Sequence, residues 1–218
     1  HMVFEVVDNS IDESLAGHCS EISVVLHTDN AVTVVDNGRG IPVDMHEEGK
    51  TAAEVIMTTL HAGGKFDGTA YETSGGLHGV GISVVNALSD DCIVEVARNR
   101  QLYRQTFSRG KALGKVENVG DVNNRRGTRV RFHPDEQIFG KNAKFSPLTL
   151  FKMARSKAYL FGGVEIRWSC DPSLVSGKDE VSDKAVFHFP GGLKDYLLST
   201  LGKQMQVTDQ PFAGSTEK

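Results

Sequence analysis

The sequence predicts an α+β fold, a two-layer sandwich in which helices cover one face of a mostly antiparallel mixed sheet. Two patterns lead to this prediction. Some segments place apolar residues three and four positions apart, as amphipathic helices do, and others alternate apolar and polar residues, as half-buried strands do. Turn residues separate the alternating segments. The 218 residues suffice for one domain, or for one domain with a small appendage.

The first elements along the chain are a helix and a hairpin. Residues 3–16 form the predicted helix, because their apolar side chains make one stripe, and Gly17 follows as a residue type that commonly ends helices. Alternating segments at 22–26 and 31–35 predict the two strands of the hairpin. The second strand runs into DNGRGIP at 36–42, where two glycines and a proline predict a turn.

The rest of the chain mixes helices and strands. Thr51 with Glu54 three residues later is a capping-box pattern, which predicts the start of a helix over 51–61. Further helices are predicted at 82–89, 147–161 (with proline at its first position) and 192–201. Further strands are predicted at 92–97, 102–107, 115–119, 128–132, 164–168 and 185–189.

Composition and charge exclude several classes of protein. The net charge of −4 argues against a domain whose main task is to grip duplex DNA. No apolar run approaches the length of a membrane span, so we expect no membrane association. The three cysteines are odd in number and far apart, which excludes a disulfide scaffold and fits a cytoplasmic location. They are Cys19, Cys92 and Cys170.

Three groups of polar or charged residues each allow two interpretations. Glu5 and Asn9 share one face of the first helix, either as part of a solvated acidic face or as a pair that serves one site. Asp36 ends a strand, where it either stabilises the turn or acts as a fixed acceptor at a pocket mouth. The arginines within 125–131 form either a solvated strand face or a weak surface for guiding DNA.

A glycine-rich stretch is the most unusual part of the sequence. Residues 63–81 contain seven glycines and lead directly into a predicted helix. Such a loop exposes backbone N–H groups at a helix N-terminus, which suits a phosphate chain. The stretch matches neither the GxxxxGK[ST] loop nor the GxGxxG dinucleotide pattern, so it is either a different nucleotide cradle or none. The structural alternative is a flexible surface loop.

Four segments together resemble the ATPase domain of the type IIA topoisomerases. They are EVVDNSIDE (5–13), DNGRGIP (36–42), HAGGKF…SGGLHGVGISVVNALS (61–89) and RRGTRVRF (125–132). That family belongs to the GHKL superfamily, which gyrase shares with the heat-shock chaperone ATPase, histidine kinases and MutL. The segments 132–140 and 154–168 are more similar to one of the two bacterial branches of the family than to the other. The resemblance implies the Bergerat ATPase fold.

The resemblance also implies roles for individual residues. Glu5 matches the general base that activates water, and Asn9 matches the Mg²⁺ ligand. Asp36 matches the carboxylate that accepts the adenine amino group, and Thr128 matches the hydroxyl that holds a water beside it. At the rim of the adenine pocket the matching residues are Glu13, Arg39, Gly40, Ile41, Pro42 and Arg98. In the lid around the triphosphate they are Lys65, Leu77, His78, Gly79, Val80 and Gly81. We expect Asp8 to have a supporting role at most.

The resemblance further implies cofactors, partners and domain boundaries. We expect ATP with Mg²⁺, competitive ATP-site inhibitors, and the topoisomerase A subunit and DNA as partners in the full-length enzyme, where hydrolysis powers strand passage. Residues 1–210 are expected to form the ATPase domain, shortened at its N-terminus, and 211–218 a tail, with the transducer domain absent. We expect this chain to be monomeric and to hydrolyse ATP slowly alone.

Two other functions remain open from the sequence. A histidine kinase catalytic domain is one, although Glu5 argues against it because such domains transfer phosphate to a histidine and normally lack a carboxylate there. A non-catalytic nucleotide-sensing module is the other.

Overall fold

The computed structural model describes residues 1–46, 49–60, 81–175, 181–202, 211, 212 and 214. Within them the helices are α1 (Met2–Leu15), α2 (Ala52–Thr58), α3 (Gly81–Ala87), α4 (Glu136–Phe139), α5 (Pro147–Leu160) and α6 (Leu193–Leu201). The strands are β1 (Glu21–Leu26), β2 (Val32–Asp36), β3 (Ser89–Arg98), β4 (Gln101–Ser108), β5 (Lys111–Ala112), β6 (Glu117–Asp121), β7 (Gly127–Pro134), β8 (Glu165–Cys170) and β9 (Lys184–His188).

All nine strands belong to one sheet. Its order is β5-β4-β3-β7-β2-β1-β8-β9, and β6 pairs with β4 beside this path. The β1–β8 pair is parallel and the other pairs are antiparallel, so the predicted mixed, mostly antiparallel sheet is confirmed. The structure differs from the sequence prediction at Ser89, which begins β3 instead of ending a helix.

One face of the sheet carries the hydrophobic core. Every second residue of the central strands is buried, as the period of two requires when one face is covered. The register places Val24 opposite Val34, and Val130 opposite both Val34 and Val94. Buried residues of α1, α2, α3 and α5 join these side chains in a single cluster, so the predicted fold class is confirmed.

Helix α1 matches its prediction closely. Its buried residues are Met2, Val3, Val6, Val7, Ser10 and Ile11. Gly17 has φ +79°, a left-handed conformation that costs glycine little and that often follows a helix. Glu5 lies in the first turn, where a negative charge interacts favourably with the helix dipole. None of the described helices is long and apolar enough to cross a membrane.

The opposite face of the sheet carries ion pairs centred on Glu95. This side chain is only 3% exposed, although it lies on the side of the sheet away from the core. Three guanidinium groups surround its carboxylate at 2.6 to 3.1 Å, those of Arg104, Arg125 and Arg129. Arg131 pairs with Asp29 and Asp91. Three of the four arginines within 125–131 are therefore ion-paired, and two of these three lie on β7.

Glu95 gives the domain a pH-dependent part of its stability. Burial alone would raise the pKa of Glu95, but the hydrogen bonds from the three arginines lower it to about 2. A lowered pKa stabilises the fold above the unfolded-state value, and this contribution disappears as the pH falls towards about 2.

We therefore expect Glu95→Gln to lower the free energy of unfolding at pH 7 by about 1 to 2 kcal/mol, allowing for screening at the surface. Urea unfolding at pH 7 and pH 3 measures the effect. The difference between variant and native chain should shrink at the lower pH. An equal difference at both values would show that the Glu95 charge does not contribute in this way.

Candidate functional site

Asp36 is the most constrained acidic residue of the site. It is the last residue of β2, it is 9% exposed, and its Oδ1 accepts hydrogen bonds from the backbone N–H groups of Gly38 at 2.9 Å and Thr128 at 3.1 Å. Ser10 Oγ donates to the other oxygen, Oδ2, at 3.2 Å. Burial raises the pKa of Asp36 above its ordinary value, and the three hydrogen bonds oppose this rise.

This bonding pattern leaves Asp36 able to accept one more donor. The bond from Gly38 is an Asx turn, so the structural interpretation of Asp36 is correct. Each carboxylate oxygen has two lone pairs, and Oδ1 uses both for its two N–H donors. Oδ2 receives only Ser10 among these bonds, so it keeps acceptor capacity.

Two glycines allow close approaches between chain segments around the end of β2. Gly127 begins β7 with φ +103°, and a Cβ there would lie 2.8 Å from both the carbonyl carbon and Oδ1 of Asp36. Gly40 has φ +80°, and a Cβ there would meet Val96 and the carbonyl oxygens of Ala97 and Gly127 at 3.0 to 3.3 Å. Only glycine fits these close approaches without movement of the backbone.

The turn after β2 is anchored on both neighbouring segments. Ile41 N donates to Thr128 Oγ1 at 3.2 Å, and Arg98 Nη1 donates to the Gly40 carbonyl at 2.8 Å. Pro42 follows in the same turn and is half-buried. The structure thus brings together the residues that were predicted for the adenine pocket.

A bidentate ion pair closes one side of this turn. Arg39 Nη2 lies 2.8 Å from Glu13 Oε1, and Arg39 Nε donates to Glu13 Oε2 at 3.2 Å. The backbone N–H of Arg39 also reaches Glu13 Oε2, at 3.1 Å. Because Glu13 belongs to the last turn of α1, the pair ties the turn to the same helix that supplies Ser10.

The polar stripe of α1 runs from this ion pair to the start of α3. Glu5, Asn9 and Glu13 are each four residues apart, so they lie on one face of the helix. Asn9 is exposed in the middle of the stripe. Glu5 packs against Gly81, where a Cβ would lie 3.2 Å from Glu5 Cβ and 3.3 Å from Glu5 Cδ.

Helix α1 therefore spans the site from end to end. Glu5 and Ser10 are five residues apart, which corresponds to about 7.5 Å along the helix axis. One end of the site has a carboxylate beside the first residue of α3, and the other end has the buried Asp36. Helix α1 thus carries Glu5 directly and is linked to Asp36 by the Ser10 hydrogen bond.

The structure describes only part of the predicted site. Of the lid residues, Gly81 is described, as the first residue of α3. The other predicted lid residues lie outside the described residues: Lys65, Leu77, His78, Gly79 and Val80. Two residues of the site, Ser10 and Gly127, were not predicted from the sequence. Ser10 could have been found, because it is a polar residue within the apolar stripe of α1, and such residues usually have a buried partner.

The chain is similar to known ATPase domains. Residues 1–138 match the family model described as "Histidine kinase-, DNA gyrase B-, and HSP90-like ATPase". The chain is also similar to the 43K ATPase domain of Thermus thermophilus gyrase B, whose crystal structure contains an aminocoumarin. That comparison gives a TM-score of 0.80 and 38% identity, and it covers 97% of this chain and 52% of the other.

Curated relatives extend well beyond the region they share with this chain. The B subunit of DNA topoisomerase 4 from Bartonella bacilliformis is 57% identical over 100% of this chain and 32% of its own length. The corresponding protein of Caulobacter vibrioides is 53% identical, over 100% of this chain and 31% of its own length. The B subunit of DNA gyrase from Clostridium acetobutylicum is 47% identical, over 95% of this chain and 31% of its own length.

These comparisons confirm the resemblance seen in the sequence. The chain spans about a third of the length of the curated relatives. Segments 132–140 and 154–168 favoured the topoisomerase IV branch, and both topoisomerase 4 proteins share more identity with the chain than the gyrase protein does. By its fold and by the match over residues 1–138, the chain belongs to the histidine kinase-, DNA gyrase B- and HSP90-like ATPase family.

Proposed function

We propose that this domain binds and hydrolyses ATP, and that the full-length protein uses the ATP cycle to power strand passage in a type IIA topoisomerase of the topoisomerase IV branch. Decatenation and relaxation of DNA are then the activities of the whole enzyme, with the topoisomerase A subunit and DNA as its partners. The observation that carries the proposal is that one helix, α1, connects Glu5 to the buried Asp36 through Ser10.

Asp36 is the proposed adenine-binding residue. An ionised carboxylate has acceptors only, so its free Oδ2 capacity suits the amino group of adenine and repels the carbonyl that guanine carries at the same place. The backbone N–H of Thr128 bonds Asp36 Oδ1, and we assign the Thr128 hydroxyl to a bridging water. Ile41, Pro42 and Arg98 form the wall and rim.

Glu5 and Asn9 are the proposed residues of the phosphate end. The exposed amide of Asn9 offers one oxygen, and Mg²⁺ prefers oxygen ligands and keeps several waters, so Asn9 with phosphate oxygens suffices to hold the ion. Among the described residues, no group of three His, Cys, Asp or Glu side chains could hold a metal by itself. When bound, the ion neutralises phosphate charge. Glu5 is then placed to orient and deprotonate water.

The same pocket is proposed as the binding site of competitive inhibitors. The similar Thermus thermophilus domain was crystallised with an aminocoumarin.

We further propose that the chain acts in the cytoplasm and that this domain is a monomer when alone. Phosphoryl transfer depends on positioning and on charge neutralisation, so the described residues supply only part of the machinery.

Calorimetry with ATP and GTP tests the proposed adenine contact. We expect the native chain to prefer ATP, and Asp36→Asn to weaken ATP binding by about tenfold or more, since a hydrogen bond to a charged group is lost or reversed. Asp44→Asn is the matched control, because Asp44 is exposed and the charge change is the same. Undiminished ATP affinity of the Asp36→Asn variant would disprove the assignment.

A further inference from the structure

A largely buried ion pair joins α1 to α5. Lys157 Nζ lies 2.5 Å from Asp8 Oδ1, and the two side chains are 19% and 24% exposed. Lys157 lies beyond residues 1–138, the part that matches the family model. A residue from the last third of the chain therefore contacts the helix that carries Glu5 and Asn9.

Asp8 occupies a sensitive position on α1. It precedes Asn9 directly and is three residues from Glu5, so its Cβ lies about 5 to 6 Å from that of Glu5. A bound triphosphate would carry several negative charges near this part of the helix. An unpaired Asp8 carboxylate would repel them, because charges a few ångströms apart interact strongly near a protein surface.

The position of the Lys157 ammonium is set by a rigid helix. Lys157 lies in the last turn of α5, a 14-residue helix that packs on β8 and β9. Its Nζ also lies 5.4 Å from the centre of the Phe161 ring, a cation–π contact. The positive charge is thus held at Asp8 by the fold, whereas a surface lysine would be largely free to move.

We propose that Lys157 is a positioning residue of the nucleotide site. It neutralises the Asp8 carboxylate and turns it towards α5. Helix α1 then presents Asn9 and Glu5 to the phosphates without the negative charge of Asp8 beside them. The inference rests on the proposed ATP site. The effect of Lys157 on nucleotide affinity depends on the phosphates of the ligand and not on its adenine.

Binding of ATP and of adenosine, which has no phosphate, separates this role from a structural one. Lys157→Met should weaken ATP binding by about fivefold at low salt, and less at high salt. Adenosine binding, followed by NMR titration, should stay unchanged. Lys157→Arg should keep the native ATP affinity. The double variant Lys157→Met with Asp8→Asn should regain it, because the repelling charge is gone.

Lys152→Met is the charge-matched control, since Lys152 is an exposed residue of the same helix. It should leave ATP binding unchanged. An equal loss of ATP and adenosine binding in Lys157→Met, or failure of the double variant to recover, would overturn the inference. If the native chain binds adenosine and ATP equally well, the inference fails while adenine recognition stands. If the native chain binds neither, the proposed function itself fails.

Discussion

Replacing Glu5 by glutamine is expected to reduce ATP hydrolysis by about 10²- to 10⁴-fold and to leave ATP binding intact. Glutamine has nearly the same shape and keeps a hydrogen-bonding group beside Gly81, but it cannot take a proton from water. Single-turnover hydrolysis with the domain in excess, together with calorimetry of ATP binding, measures both quantities. Loss of a general base lowers the rate of hydrolysis and leaves the affinity for ATP unchanged, so these two measurements together identify that role.

Two further variants sharpen this experiment. Gly81→Ala should also slow hydrolysis, because a Cβ would push the Glu5 carboxylate aside. Glu117→Gln is the control, since Glu117 is exposed on β6. Turnover that stays at the native level in Glu5→Gln would mean that another group activates the water.

Gly127→Ala is expected to have the largest effect on stability. The new Cβ would lie 2.8 Å from the Asp36 carbonyl carbon and would require φ +103° of alanine. Strain and overpacking together should lower the free energy of unfolding by about 3 kcal/mol, which is a fall of about 6 to 12 °C in Tm for a domain of this size. ATP binding should weaken as well, because the bond from Thr128 N to Asp36 would be displaced.

Gly163→Ala separates the two causes of that loss. Gly163 has a similar φ of +98°, but nothing lies within 4 Å of the position its Cβ would take. It should lose only about 1 kcal/mol, from backbone strain alone. Thermal unfolding of both variants followed by circular dichroism gives the comparison. Equal losses at the two positions would show that the close approach to Asp36 does not destabilise Gly127→Ala.

Local signals explain why much of the fold could be predicted. The apolar stripe of α1, the Thr51 cap and the hairpin of β1 and β2 all depend on residues within a few positions of each other. Thr51 Oγ1 accepts the predicted bond from Glu54 N at 3.2 Å. Asp36 was placed correctly at the end of β2 because the following turn residues are so distinctive.

Other features depend on contacts between distant residues and could not be predicted. The two residues of β5 and the four of α4 are too few to produce a recognisable period. The same holds for side-chain partners, because Ser10 reaches Asp36 and Lys157 reaches Asp8 only once the tertiary fold is present. Periodicity can place a residue on a helix face, but it does not identify the residue across from it.

The parallel pairing of β1 with β8 has a consequence for biosynthesis. Glu21 pairs with Glu165, so one side of a central strand has no neighbour until a segment 144 positions later has left the ribosome. At elongation rates of about 5 to 20 residues per second this interval is about 7 to 29 s. During that time one edge of β1 is open to wrong pairing, and such unpaired edges make partly folded chains prone to aggregation.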